Sequence, residues 1–248
     1  NLVGVYGYAM QIYRDFSGYS DMAIGIALLL GFRFPMNFNA PYSAQSITDF
    51  WRRWHISLSS WIRDYIYISM GGNRRGRLRQ YFNLQVAMML GGLWDGASRN
   101  FVAWGGMHGM ALAVHKLLRQ YVYKHDKNYV SRGLNRVGAV LLTFHFVALC
   151  WIFFRNQTFE QSRVMILQIF YDFHPEVFLQ CVQGYWEVFA LIAFGYVTHF
   201  IPDSWTESFV AVIRRGGVVL GAILIAAVIF MVIQVKSSEI QPFIYFQF

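Results

Sequence analysis

Imidazoles in apolar surroundings are the first residues to weigh in this chain. A histidine with a pKa of about 6.5 takes up and returns a proton near neutral pH. Of the seven present, His55, His108, His145 and His199 lie in or beside apolar runs, whereas His115, His125 and His174 read as loop or interface residues. Other polar groups gather at two places: Asp15, Ser17, Tyr19 and Asp21 in one string, and Asp95, Ser98, Arg99 and Asn100 in another. Such a set can carry general acid–base chemistry. Each member also has a plain structural reading. His55 falls beside Thr48, Arg52 and Ser59 on a helical wheel and would serve as an interfacial histidine bonded to a neighbouring helix. His108, within Trp104-Gly105-Gly106-Met107-His108-Gly109, would bridge two closely approaching helices. His145 and His199 have no motif around them and read as helix-packing residues. No HxxxH-type pair with a carboxylate occurs, so no metal site is expected. Cys150, inside an apolar run, reads as a small buried hydrophobe, and with Cys181 it gives no disulfide framework.

The background that must position these groups is unusual for a soluble protein. Apolar residues make up 56% of the chain and charged ones 14%, against about 25% charged in soluble domains. An integral membrane protein follows from that balance. The net charge of +8 fits two partners, nucleic acid or the cytoplasmic side of a bilayer. Lys and Arg crowd into short stretches beside apolar runs, which favours positive loops of a membrane protein and excludes a nucleic-acid role.

Residues 2 to 13 and 22 to 34 are apolar, each too short to span a bilayer, which takes about 20 helical residues. The polar string between them is then expected near membrane depth, shielded by protein or lining a cavity. Residues 45 to 68 read as one amphipathic helix in the interface. Its apolar face carries Ile47, Phe50, Trp51, Trp54, Leu58, Trp61, Ile62 and Tyr65. Arg74, Arg75, Arg77 and Arg79 precede an apolar stretch from Tyr81 to about Val114, and Lys116, Arg119, Lys124, Lys127, Arg132 and Arg136 follow it. Two basic flanks on one side imply a helical hairpin whose turn, residues 94 to 100, lies in or across the membrane. Val137 to Phe154, Val182 to Ile201 and Gly216 to Val235 read as spans, and Phe159 to Phe173 as a weaker, surface segment. The fold class expected is all-α, a polytopic transmembrane protein of tilted, broken and re-entrant helices.

At this point two strings become specific. Asp15-Phe16-Ser17-Gly18-Tyr19-Ser20-Asp21-Met22-Ala23-Ile24-Gly25 and Phe50-Trp51-Arg52-Arg53-Trp54-His55-Ile56-Ser57-Leu58-Ser59 resemble signatures of the membrane-bound O-acyltransferase family. Tyr65 to Ile68 and Gly71 to Arg74 continue the likeness, and the closing Phe243 to Phe248 is also similar. The likeness is densest from residue 6 to 118. It points to the branch that O-acetylates exported polysaccharides such as alginate or cellulose. D-alanyl transfer proteins of teichoic acid assembly are more distant. The resemblance implies a longer chain, of which residues 1–248 would be the C-terminal part of a single transmembrane domain without its N-terminal helices. It implies helices around a central funnel, where a cytoplasmic acyl donor meets an acceptor on the far side.

By that resemblance His55 is one of two near-invariant family histidines, and the other, in the string LWHGA, is the catalytic one. Here the string reads Leu93-Trp94-Asp95-Gly96-Ala97, with Asp95 in the histidine's place and Arg99 where an aromatic residue is usual. Opposite charges at i, i+4 would pair if that turn were helical. A carboxylate, with a pKa of about 3.9, is a weaker base than imidazole. The resemblance therefore implies an O-acetyltransferase with an impaired site. Asp95 holds the general-base position, with His55 supporting the base or the donor. His108, Asp15, Ser17, Tyr19, Asp21, Arg52, Trp94, Ser98 and Asn100 would line or brace the funnel. No cofactor is implied; acetyl-CoA or another acyl thioester would be the donor substrate, and the arginines of 74 to 79 would steer that anion. The partners implied are the lipid bilayer and an exported polysaccharide or a periplasmic acetyltransferase, and the location a multi-pass position in the inner membrane. D-alanyl transfer, or a non-catalytic membrane scaffold, is the alternative.

Overall fold

Residues 1–122 and 133–235 are described by the computed structural model of this chain. Lys124, His125, Lys127 and Arg132 of the second basic loop, and the closing Phe243 to Phe248, lie outside the described residues. Among the described residues every regular element is helical.

The first helix, α1 (Leu2–Leu29), runs unbroken through the polar string. The two apolar runs, the second as far as Leu29, and the polar string between them thus form a single helix. Ser17 and Ser20 are buried on one face, while Tyr19 and Asp21 are exposed. Nothing in the string breaks a helix, and burying its polar residues on α1 requires only helical periodicity.

The amphipathic segment 45–68, expected as one helix, is three pieces. They are α2 (Ile47–Arg53), α3 (Ile56–Trp61) and a π-helical stretch, Ile62–Tyr67. α2 starts at Ser46, whose side chain accepts the Asp49 N–H. The break falls at Trp54, which is extended, and His55, which is left-handed at φ 41°. A distant segment imposes it: the Asn39 N–H donates to the Arg53 carbonyl (2.9 Å) and the Ile56 N–H to the Asn37 carbonyl (3.0 Å). These bonds take the place of helical ones and turn Trp54 inward, where it is 2% exposed. The expected apolar face is accordingly divided. Ile47, Phe50, Trp54 and Ile62 are buried, whereas Trp61 and Tyr65 are exposed.

α4 (Arg77–Asp95) and α5 (Arg99–Tyr121) form the hairpin that the basic flanks imply. Small residues let the backbones touch. A Cβ on Gly92 would strike the Phe101 carbonyl, and one on Gly105 the Met88 carbonyl. At the open end Arg77 Nη1 donates to Tyr121 OH (3.0 Å), so the two basic flanks meet.

α6 (Leu134–Arg155) crosses the core, packing Val147, Cys150, Trp151 and Phe154 against α1, α2 and α5. α7 (Phe159–Tyr171) opens with a capping box, Thr158 with Gln161. The expected span Val182 to Ile201 is bent instead: α8 (Phe178–Gly184) and α9 (Trp186–His199) meet in an element pair bent by 97°. α9 alone, at about 1.5 Å per residue, falls short of a bilayer. α10 (Asp203–Val235) carries a kink at Gly217 (φ 62°). Among the described residues two helices, within Gly133–Arg155 and Ser204–Ile233, are long and apolar enough to cross a membrane, or three if the bent pair is one span.

Candidate active site

An aromatic core sits where α1, α2, α5 and α6 meet. Trp54 packs against Phe38 (ring centroids 5.0 Å), Trp151 (5.0 Å) and Phe50 (5.6 Å, stacked). Three histidines touch this core, each in a different way.

His108 is sealed inside it at 0% exposure. The indole N–H of Trp51 on α2 donates to His108 Nδ1 (3.2 Å), which places the remaining proton of the neutral ring on Nε2. Nε2 itself is buried without a partner among the described residues. Trp104 and Phe50 flank the ring. His108 thus links α5 to α2 through a side chain. His199 ends α9 and accepts the Tyr42 backbone N–H at Nε2 (3.2 Å), edge-on to Tyr13. His145 lies outside the core and is exposed, its Nδ1 bonded to the Leu141 carbonyl (2.7 Å).

His55 is half-buried at the break between α2 and α3. Its ring stands edge-on to Phe16 of α1 (4.8 Å, 90°). Its Nδ1 meets Asn37 Oδ1 at 3.2 Å, and the same oxygen accepts the Ser57 backbone N–H (3.2 Å) and hydroxyl (2.9 Å). The Asn37 amide nitrogen reaches Ser20 of α1 (3.4 Å). Burial pushes the imidazole pKa down to about 4, so the ring is neutral at pH 7. Asn37 was missed in the sequence; its signal was a pair of polar residues, Asn37 and Asn39, between Pro35 and Pro41.

Asp95 ends α4 and is half-buried. The turn that follows is not helical: Gly96 is extended and Ser98 occupies the N-cap position of α5. The i, i+4 geometry is thus absent, and among the described residues Arg99 forms no ion pair with Asp95. Trp94 is 68% exposed and leans on Trp61 (5.2 Å) at a cavity of about 300 Å³ walled also by Ile62, Ile66 and Leu90. Asn100 is buried and donates to the Asn156 carbonyl (2.6 Å), tying the hairpin turn to the end of α6.

The remaining polar candidates divide in the same manner. Arg52 is exposed on α2, and Asp15 is half-buried on α1. Their neighbour Arg14, which sequence reading did not single out, ties α1 to α9 through the Gly195 carbonyl (2.7 Å). No hydrogen bond or ion pair among the described residues joins Asp95 to His55 or His108. The described residues also hold no group of three or more His, Cys, Asp or Glu side chains suited to a metal ion.

Comparison with known proteins adds chemistry to this geometry. Residues 3–120 match the family model described as MBOAT, membrane-bound O-acyltransferase family. The chain is 51% identical over 158 residues to "Probable alginate O-acetylase AlgI" of Pseudomonas aeruginosa, covering 64% of this chain and 29% of that protein. It is 46% identical over 155 residues to "Peptidoglycan O-acetyltransferase" of Helicobacter pylori, covering 62% and 28%. To "Teichoic acid D-alanyltransferase" of Bacillus subtilis it is 32% identical over 170 residues, covering 64% and 42%. The matched part spans under a third of the length of the two O-acetylating relatives.

Proposed function

We propose, from the match of residues 3–120 to the membrane-bound O-acyltransferase family model, that the whole protein transfers acetyl groups from a cytoplasmic thioester to hydroxyls of an exported envelope polysaccharide. The observation that carries this reading is the ranking of relatives. The protein named for O-acetylating alginate and the one named for O-acetylating peptidoglycan are 51% and 46% identical, and the one named for D-alanyl transfer is 32% identical. Acetyl-CoA is the proposed donor. The polymer itself, or a periplasmic acetyltransferase partner, is the proposed acceptor, at the inner membrane.

The reaction sets the roles. An alcohol attacks the thioester carbonyl, and a base takes the alcohol proton as the new C–O bond forms. The C–S bond then breaks, and the proton passes to the departing sulfur. Imidazole suits both transfers, and loss of a general base costs roughly 10² to 10⁴ in rate. Asp95 stands where the family histidine is expected, at the inner end of the α4–α5 hairpin. His55, His108, Arg52, Trp94, Ser98 and Asn100, with Asp15, Ser17, Tyr19 and Asp21 of α1, are proposed to line or brace the passage. Asp95 also favours a second reading, a non-catalytic membrane scaffold with the family fold. Purified full-length protein in lipid discs distinguishes these. Slow consumption of acetyl-CoA, in preference to a D-alanyl thioester, is expected. No consumption of either, with Asp95→His equally silent, would establish the scaffold.

A further inference from the structure

We propose that Asn37 is a positioning residue that holds His55 in its Nδ1–H tautomer, so that Nε2 is the nitrogen left to accept a proton. The use made of that nitrogen rests on the acyl-transfer reading; the tautomer does not.

The argument turns on a fixed donor. The backbone N–H of Ser57 can only donate, and it points at Asn37 Oδ1. That atom is therefore the amide oxygen and not the nitrogen, whichever way an amide is first assigned. His55 Nδ1 lies 3.2 Å from the same oxygen. If Nδ1 carried a lone pair, two acceptors would face each other at bonding distance. If Nδ1 carries the proton, the contact is a hydrogen bond. The Ser57 hydroxyl lies 3.4 Å from Nδ1 and 2.9 Å from Oδ1, so its shorter and better bond is also to the oxygen. The proton of the neutral ring thus belongs on Nδ1.

The backbone locks the arrangement. Asn37 grips the break twice, with its side chain on His55 and Ser57 and with its carbonyl on the Ile56 N–H. His55 is held at φ 41°, a left-handed conformation that a histidine adopts only when its surroundings demand it. Phe16 closes one side of the ring. Nε2 has no hydrogen-bond partner among the described residues, yet it is not among the polar atoms sealed in the core. The ring is clamped at one nitrogen and open at the other. His108 has the reverse arrangement: its Nδ1 accepts and its Nε2 is enclosed. Of these two histidines of the core, only His55 offers an accessible basic nitrogen.

The test is ¹⁵N spectroscopy of histidine-labelled full-length protein in lipid discs at neutral pH, with the His55 signals assigned by their loss in His55→Gln. The unmodified protein is expected to show a protonated, pyrrole-type Nδ1 and a pyridine-type Nε2 at His55. Asn37→Leu is expected to exchange the two types at His55 while the His108 signals stay put. Asn37→Asp, which keeps the accepting oxygen, is expected to restore the original pattern. A pyridine-type Nδ1 in the unmodified protein, or a His55 pattern unchanged by Asn37→Leu, overturns the proposal. Should Asn37→Leu fail to fold, the unmodified protein and Asn37→Asp still decide it. If the predicted tautomer appears in a protein that consumes no acetyl-CoA, the positioning role stands and only the acyl-transfer reading fails.

Discussion

Two side chains, Asp95 and His55, carry the proposed chemistry from different surroundings. Asp95 is set at the end of a helix with no ion-pair partner among the described residues, and His55 is clamped in an aromatic wall. The expected Asp95–Arg99 pair does not form, because a non-helical turn at residues 96–98 separates the two. His55 should stay neutral well below the usual imidazole range. Its folded pKa, about 4, lies under the unfolded value of about 6.5. The unfolded chain therefore binds this proton more readily, and the contribution of His55 to stability falls as pH drops from about 6.5 through 4. An NMR titration of the full-length protein is expected to show no protonation of His55 between pH 8 and 5.5. A midpoint near 6.5 would mean the ring is solvated, contrary to its packing on Phe16 and Phe38.

The α4–α5 hairpin is what places Asp95, and glycines decide whether it closes. Gly105 has no room for a Cβ beside the Met88 carbonyl, whereas a Cβ on Gly106 would only reach Gln85 Nε2 at 3.4 Å. Gly105→Ala is expected to destabilise the protein by about 1–3 kcal/mol, as overpacking does. Gly106→Ala, its neighbour, should be near neutral. Thermal unfolding of both variants in detergent checks this, and equal Tm values would show that the helices are not in backbone contact. Elements governed by local pattern were legible in the sequence: basic flanks and small residues gave the hairpin, and unbroken apolarity gave α6. The break at Trp54–His55 was not, because residues 37–39 impose it through backbone bonds that no helical wheel contains. The bend after Gly184 was also missed, although Gln183, Gly184 and Glu187 interrupt the apolar run there. Conversely, the polar string between two apolar runs continues α1, with Ser17 and Ser20 buried and Tyr19 and Asp21 exposed. Of the candidate site, the histidines stood out by type, while Asn37 did not. An asparagine between two prolines reads as a turn residue until its partner, 18 positions away, is known.

At the scale of the molecule, charge and shape agree on orientation. The Arg77–Tyr121 bond and the Lys116 contact with Asn73 (3.4 Å) bring both basic flanks to one end of the hairpin, with Asp95 at the other. On the proposed membrane placement, the positive-inside rule would put that basic end in the cytoplasm. Single cysteines at Arg75→Cys and Val122→Cys in the full-length protein should both be labelled by an impermeant thiol reagent from the cytoplasmic side alone. Labelling from opposite sides would break the hairpin assignment. The most direct measurement of the chemistry is acetyl transfer from acetyl-CoA by full-length Asp95→His beside the unmodified protein, at matched membrane insertion. A gain, at most the roughly 10² to 10⁴ that a general base contributes, is expected on placing imidazole where a carboxyl that burial pushes up to about 7 now stands. An unchanged rate would mean that the side chain at position 95 takes no part in moving the proton.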